Sequence, residues 1–159
     1  MQPSRRSLGL MLVAPALLSF GLPASAEGQM VVFRDENCGC CGNWVDYIRA
    51  AGFEVDVRIF PFMNRKKTEL GIPSGLRSCH TALIGGYLLE GHVPVEEIHR
   101  LLASRPNASG LAVPRMPVGS PGMEVEGVAP DRYNVVLFQG QRTSVFATYI
   151  GAVRQPNPA

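Results

Sequence analysis

Three of the four cysteines in this chain stand within four positions, Cys38, Cys40 and Cys41, just after an apolar, β-branched segment and just before a helical pattern. No other feature constrains the fold as tightly. A disulfide needs its Cα atoms and Cβ vectors within narrow limits, so neighbours such as Cys40 and Cys41 rarely pair with each other. A framework of stapling bridges spreads its cysteines along the chain, whereas this chain gathers thiols at a point. The fourth cysteine, Cys79, lies far along the sequence and is followed at once by His80.

The segments around the cluster have a readable order. Gln29 to Phe33, with Val31 and Val32, reads as a first strand. Asn43 is placed to cap a helix from Trp44 to Ala51, on which Trp44, Ile48 and Ala51 recur at helical spacing with Val45 beside them, and Gly52 ends it. Glu54 to Phe60 alternates charged and apolar residues, as a half-buried strand does, and Asn64 to Leu70 is a short polar helix closed by Gly71. Ser78-Cys79-His80 leads into Thr81 to Ile84, Gly85-Gly86 reverses the chain, and Tyr87 to Glu90 returns. Pro94 opens a helix with Glu96 and Glu97 in its first turn, where the helix dipole accounts for them, and with an apolar stripe of Val95, Ile98, Leu101 and Leu102. Residues 105–131 are rich in Pro, Gly and Ser and read as one long loop. A hairpin, Val135 to Phe138 and Ser144 to Tyr149 within 133–150, follows, and the last residues are expected to fray. With the cysteines at the start of the first helix, this order predicts an α/β fold, a thioredoxin-like domain with a C-terminal loop and hairpin extension.

The N-terminus is expected to lie outside that fold. Arg5 and Arg6, an uncharged apolar run from Leu8 to Leu22, and Ala24-Ser25-Ala26 form a secretory signal pattern covering residues 1–26, with cleavage after Ala26. The run is short for a membrane span and is interrupted by Pro15 and Gly21. Ser4-Arg5-Arg6 also fits a twin-arginine export signal. The remaining residues 27–159 amount to one domain. Two of the 15 basic residues and none of the 13 acidic ones fall in the signal, so the rest of the chain is balanced in charge. Nucleic acid is thereby disfavoured as a partner, and no membrane association is expected after signal removal. Export implies an oxidising compartment, where four cysteines usually make two disulfides. The clustering argues against that ordinary use.

Thiols at a helix N-terminus meet unsatisfied N–H groups and positive potential, which favours the thiolate. Cys38 and Cys41 have the spacing of a thiol–disulfide oxidoreductase pair. Cys40 is then an awkward third thiol, placed to trap the mixed intermediate. Three soft thiolates at one point suit Cu(I) or Zn(II) better. In a thioredoxin-like fold the Ser78-Cys79-His80-Thr81 loop packs against the helix start, so Cys79 and His80 are expected to face the cluster, with sulfur bridging between several copper ions as one outcome. The long loop adds two thioethers, Met116 and Met123, of a kind that prefers Cu(I) to zinc. His92, just before Pro94, is a further candidate ligand. Trp44 is expected to cover the site or fill the core, Met63 to pack, and His99 to be solvated.

Taken in order, Cys-Gly-Cys-Cys-Gly-Asn-Trp (38–44), Ser-Cys-His-Thr-Ala (78–82), Glu-Gly-His-Val-Pro (90–94), Leu-Ala-Val-Pro (111–114) and Met-Pro-Val-Gly-Ser-Pro-Gly-Met-Glu (116–124) closely resemble the CopG-like proteins. The resemblance spans nearly all of the chain after the signal. It implies a periplasmic copper-resistance role, copper on the clustered cysteines, a C-terminal extension reaching the metal, and a copper efflux system as a partner. It also implies a copper-dependent oxidoreductase activity that interconverts Cu(I) and Cu(II). A passive copper carrier without turnover fits the same residues. The family usually has glycine before the first Met-Pro, where this chain has Arg115.

Overall fold

A computed structural model describes residues 28–156. The signal segment read at residues 1–26 lies outside the described residues. β1 (Met30–Arg34) leads into α1 (Gly39–Ala50), which returns through β2 (Val55–Ile59). α2 (Met63–Glu69) and a single 3-10 turn (Ser74–Leu76) then lead to the hairpin β3 (Thr81–Ile84) and β4 (Tyr87–Glu90). α3 (Val95–Ser104), β5 (Gly110–Ala112), β6 (Arg132–Gln139), β7 (Arg142–Ile150) and β8 (Val153–Gln155) complete the chain. All the strands join one mixed sheet in the order β2-β1-β3-β4-β5-β6-β7-β8. β1 and β2 are parallel, as are β4 and β5, and the other neighbours are antiparallel.

The two-residue period of the strands sorts the core between the two faces of the sheet. Ala82, Ile84, Leu89, Leu111 and Val135 share a cluster with Trp44, Val45 and Ile48 of α1 and with Ile98, Leu101 and Leu102 of α3. The alternate residues Leu88, Ala112, Val136 and Phe138 pack with Leu70, Ile72 and Leu76, which follow α2. The helices carrying the largest apolar stripes therefore cover one face, and the short segment after α2 covers part of the other.

Three readings of the sequence need correction. α1 starts at Gly39 with Cys38 as its N-cap, not at Trp44 with Asn43 as cap. Two glycines in the first turn argue against helix on propensity, but residues three apart face each other on a helix. The Cys38–Cys41 disulfide, with Cα atoms 5.4 Å apart, fits that turn. Asn43 instead points its amide at the Gly122 carbonyl, 3.5 Å away. The supposed loop 105–131 contains β5, whose three residues are too few to show a period. The terminal hairpin read over 133–150 gains a third strand, β8, which pairs with β7, and the last three residues, 157–159, lie outside the described residues. Glu97 stands in the first turn of α3, as read, and has a further role. Its buried carboxylate accepts hydrogen bonds from the Tyr149 hydroxyl and Arg154 Nε, each at 2.9 Å, and from Arg100. It thereby pins β7 and β8 to α3, while Glu96 beside it is exposed.

Candidate metal centre

The sharp start of α1 places the cysteine cluster. Cys38 is extended, with φ −80 and ψ 93, and its carbonyl takes a hydrogen bond from Arg34 Nη1 at 2.9 Å. Cys38 and Cys41 are joined by a disulfide, while Cys40 and Cys79 are free thiols. Cys40 Sγ lies 3.6 Å from Cys38 Sγ and 3.9 Å from Cys79 Sγ. The sulfurs from two distant stretches therefore meet at the tip of α1.

Cys79 sits on the segment between the 3-10 turn and β3. Its Sγ is 3.0 Å from His92 Nε2 and 3.4 Å from His80 Nδ1. Among the described residues, two groups of donor atoms each lie within 4.8 Å of one another. One is Cys38, Cys40, Cys41 and Cys79; the other is Cys79, His80 and His92. Cys79 belongs to both. Both imidazoles are fully buried. His80 lies against Trp44, with ring centroids 4.4 Å apart, and His92 meets His80 edge-on at 5.0 Å. Trp44 is itself buried and donates from Nε1 to the Val93 carbonyl at 3.0 Å, so it is both core residue and wall of the site.

The surroundings disfavour charge on this side of the site. Burial, reinforced by the neighbouring Cys40 sulfur, pushes the Cys79 thiol up to about 12. Burial, with His92 close by, holds His80 well below the ordinary histidine value, and burial lowers His92 as well. Both rings are therefore neutral at pH 7, each with one nitrogen lone pair free to bind a cation. His92 Nδ1 lies 2.8 Å from the Pro121 carbonyl, a contact that orients the ring with Nε2 toward Cys79. His80 Nε2 is buried with no hydrogen-bond partner among the described residues, an orphaned polar atom of the kind that marks a ligand site.

The long loop reaches the site through Pro121 and Gly122. Gly122 has φ +81, and a Cβ there would come within 2.7 Å of the Trp44 backbone nitrogen, so the loop lies directly on α1. Met123, half-buried, follows at once, its N–H donating to the Ser120 carbonyl at 2.8 Å. Met116 is half exposed and lines a cleft of about 560 Å³ with Arg115, Tyr133 and Val136. Arg115 keeps a left-handed φ of 64, the conformation a glycine would adopt freely. Its N–H donates to the Arg77 carbonyl at 3.1 Å, and its carbonyl accepts from the Ser78 hydroxyl, so the substituted position still clasps the Cys79 segment. The Pro121 carbonyl that orients His92 gave no signal in the sequence, since any residue supplies a carbonyl. His99 is exposed and stacks on Phe53, and Met63 is half-buried.

Fold and site together define a class, a small mixed α/β chain with a clustered cysteine–histidine candidate metal site. Residues 76–123 match a family described as a protein of unknown function, DUF411, a span holding Cys79, His80, His92 and both loop methionines. Two solved structures are similar. "Copper resistance protein copG- Form 2" is 43% identical with a TM-score of 0.71, the match covering 76% of this chain and 97% of that one. "Copper resistance protein copG- Form 1" is 45% identical with a TM-score of 0.71, covering 77% and 98%. No curated protein matches. The chain belongs to the CopG-like copper-resistance family.

Proposed function

We propose that this protein binds copper in the periplasm as part of copper resistance, on Cys38, Cys40, Cys41, Cys79, His80 and His92, with Met116 and Met123 of the long loop as further donors. The observation that carries the reading is the position of Cys79 Sγ, 3.9 Å from Cys40 Sγ and 3.0 Å from His92 Nε2, which joins a sulfur group to a nitrogen group. Soft sulfur and neutral imidazole match copper ions, and the unpartnered His80 Nε2 fits a site that is completed by a ligand. With the Cys38–Cys41 bridge in place, Cys40 and Cys79 supply the thiols; with it reduced, four sulfurs are available to bridge several ions. The β2-β1-β3-β4 order and the helix-capping Cys38 support a thioredoxin-like arrangement of the first seven elements. Residues 1–26 are read as the export signal, and a copper efflux system as the recipient of the ion.

The bridge gives the copper reading a redox form. Two Cu(II) ions and the Cys38/Cys41 dithiol yield two Cu(I) ions, one disulfide and two protons, and the reverse balances equally. Anaerobic addition of Cu(II) to the reduced protein is expected to produce two Cu(I) for every two thiols lost. Copper bound with no thiol lost identifies a passive carrier instead. A protein that takes up no copper in either form refutes the proposal.

The observed Cys38–Cys41 disulfide favours one second reading, a thiol–disulfide oxidoreductase. That reading predicts insulin reduction that survives Cys79→Ser.

A further inference from the structure

A buried ion pair lies behind the candidate centre, outside both donor groups. Lys67 of α2 and Glu90 at the end of β4 are 2% and 0% exposed, with Lys67 Nζ 2.6 Å from Glu90 Oε1. Removing two charges from water costs about as much as their attraction returns, so stability alone is a weak reason for such a pair. Its other hydrogen bonds suggest a different reason. Glu90 Oε1 also accepts the Ser78 N–H at 2.6 Å, and Oε2 accepts the Thr81 hydroxyl at 2.6 Å. Lys67 donates to that same Thr81 oxygen at 3.0 Å. Ser78 and Thr81 are the residues on either side of Cys79-His80. Gly91, next after Glu90, donates its N–H to the His80 carbonyl at 3.0 Å, and His92 follows. One carboxylate thus joins the two stretches that carry Cys79, His80 and His92.

We propose that Glu90, held by Lys67, is the positioning residue of this centre: it fixes the Cys79-His80 dipeptide at both flanks and sets its spacing to His92. The inference rests on the copper reading for its consequence for the metal, but the positioning is a property of the metal-free protein. Arg115 and Gly91 hold the same segment through the backbone, so loss of the carboxylate loosens the donors without removing the fold. An apolar pair at 67 and 90 would fill the space without accepting the Ser78 N–H. A glutamine at 90 would still accept it.

The test uses the mature chain with Cys40→Ser, in which the Cys38–Cys41 bridge leaves Cys79 as the single free thiol. Its rate of reaction with a small aromatic disulfide and the imidazole NMR signals of His80 and His92 are the metal-free readouts. Lys67→Met with Glu90→Leu is expected to change the Cys79 rate at least tenfold and to shift both imidazole signals. Lys67→Met with Glu90→Gln is expected to return the rate to within about threefold of the parent. Thr81→Val, which removes one flank only, is expected to change it about threefold. With Cys40 present, Cu(I) affinity is expected to fall about tenfold in the leucine pair and to recover in the glutamine pair. A folded leucine pair with the parent's Cys79 rate and imidazole signals overturns the proposal. If that pair does not fold, an unchanged rate in Thr81→Val overturns it. Rates that move in a protein that binds no copper leave the positioning standing and remove the copper reading.

Discussion

The two halves of the candidate centre are built differently. The tip of α1 presents Cys38, Cys40 and Cys41 from one turn of helix, and two of its sulfurs are already bridged. The opposing half gathers Cys79, His80 and His92 from two separate stretches and buries both rings. It is held by hydrogen bonds to Glu90, Pro121, Arg115 and Gly91. The first half can gain or lose two electrons within a single turn. The second cannot change its ionisation cheaply, because its surroundings keep the thiol protonated and the imidazoles neutral. On the proposed copper reading, the contrast pairs an adjustable sulfur source with a pre-set receptor.

The largest test of that contrast is Cys79→Ser, which removes the atom shared by both donor groups. Cu(I) affinity in competition titrations is expected to fall at least a hundredfold, and further than for Cys38→Ser or Cys40→Ser alone. Equal losses at all three positions would mean that the two halves are not distinct. Next in size is the pH dependence of loading. Cys79 is protonated below about 12 in the metal-free protein, so binding must release its proton. Cu(I) affinity is expected to rise about tenfold per pH unit near neutrality from this group alone, with proton release measurable by calorimetry in buffers of different ionisation heat.

A smaller effect concerns the metal-free fold. His80 and His92 have folded values below the ordinary 6.5. The unfolded chain therefore takes up protons first, and stability is full above about 6.5 and falls as pH drops below it. Urea midpoints at pH 7.5 and 5.0 should show this loss, and His80→Gln should flatten it. The smallest effect is expected at Arg115. Its left-handed backbone costs a non-glycine residue about 1 kcal/mol, so Arg115→Gly should raise unfolding stability by about that much while leaving copper affinity unchanged.

Much of this architecture was readable from short-range patterns. The β1-α1-β2 order, the Gly85-Gly86 hairpin and the stripe of α3 follow from apolar patterning and turn residues, and each appears where it was read apart from the first turn of α1. What escaped was set by contacts that leave no periodic trace, some local and some distant in sequence. The first turn of α1 is held against its glycines by a bond between Cys38 and Cys41. β5 and β8 are too short to carry a period and exist because β4 and β7 offer them open edges. Glu97 stands in the first turn of α3 as read, but its partners Tyr149 and Arg154 are brought to it only by β7 and β8. At the site, the meeting of Cys79 with the cluster was foreseeable from fold order. The closeness of His92 was less so, because it depends on Gly91. That residue's φ is +73, and a Cβ there would strike the Ser78 side chain, so only glycine lets the β4 end turn His92 inward.

X-ray absorption at the copper edge of the Cu(I)-loaded protein, compared with Cys79→Ser, tests the shared role of Cys79 most directly. The account predicts mixed sulfur and imidazole scattering in the parent and loss of both a sulfur and the imidazole contribution in the variant. Copper held by sulfur alone, with a spectrum unchanged by the substitution, would contradict it.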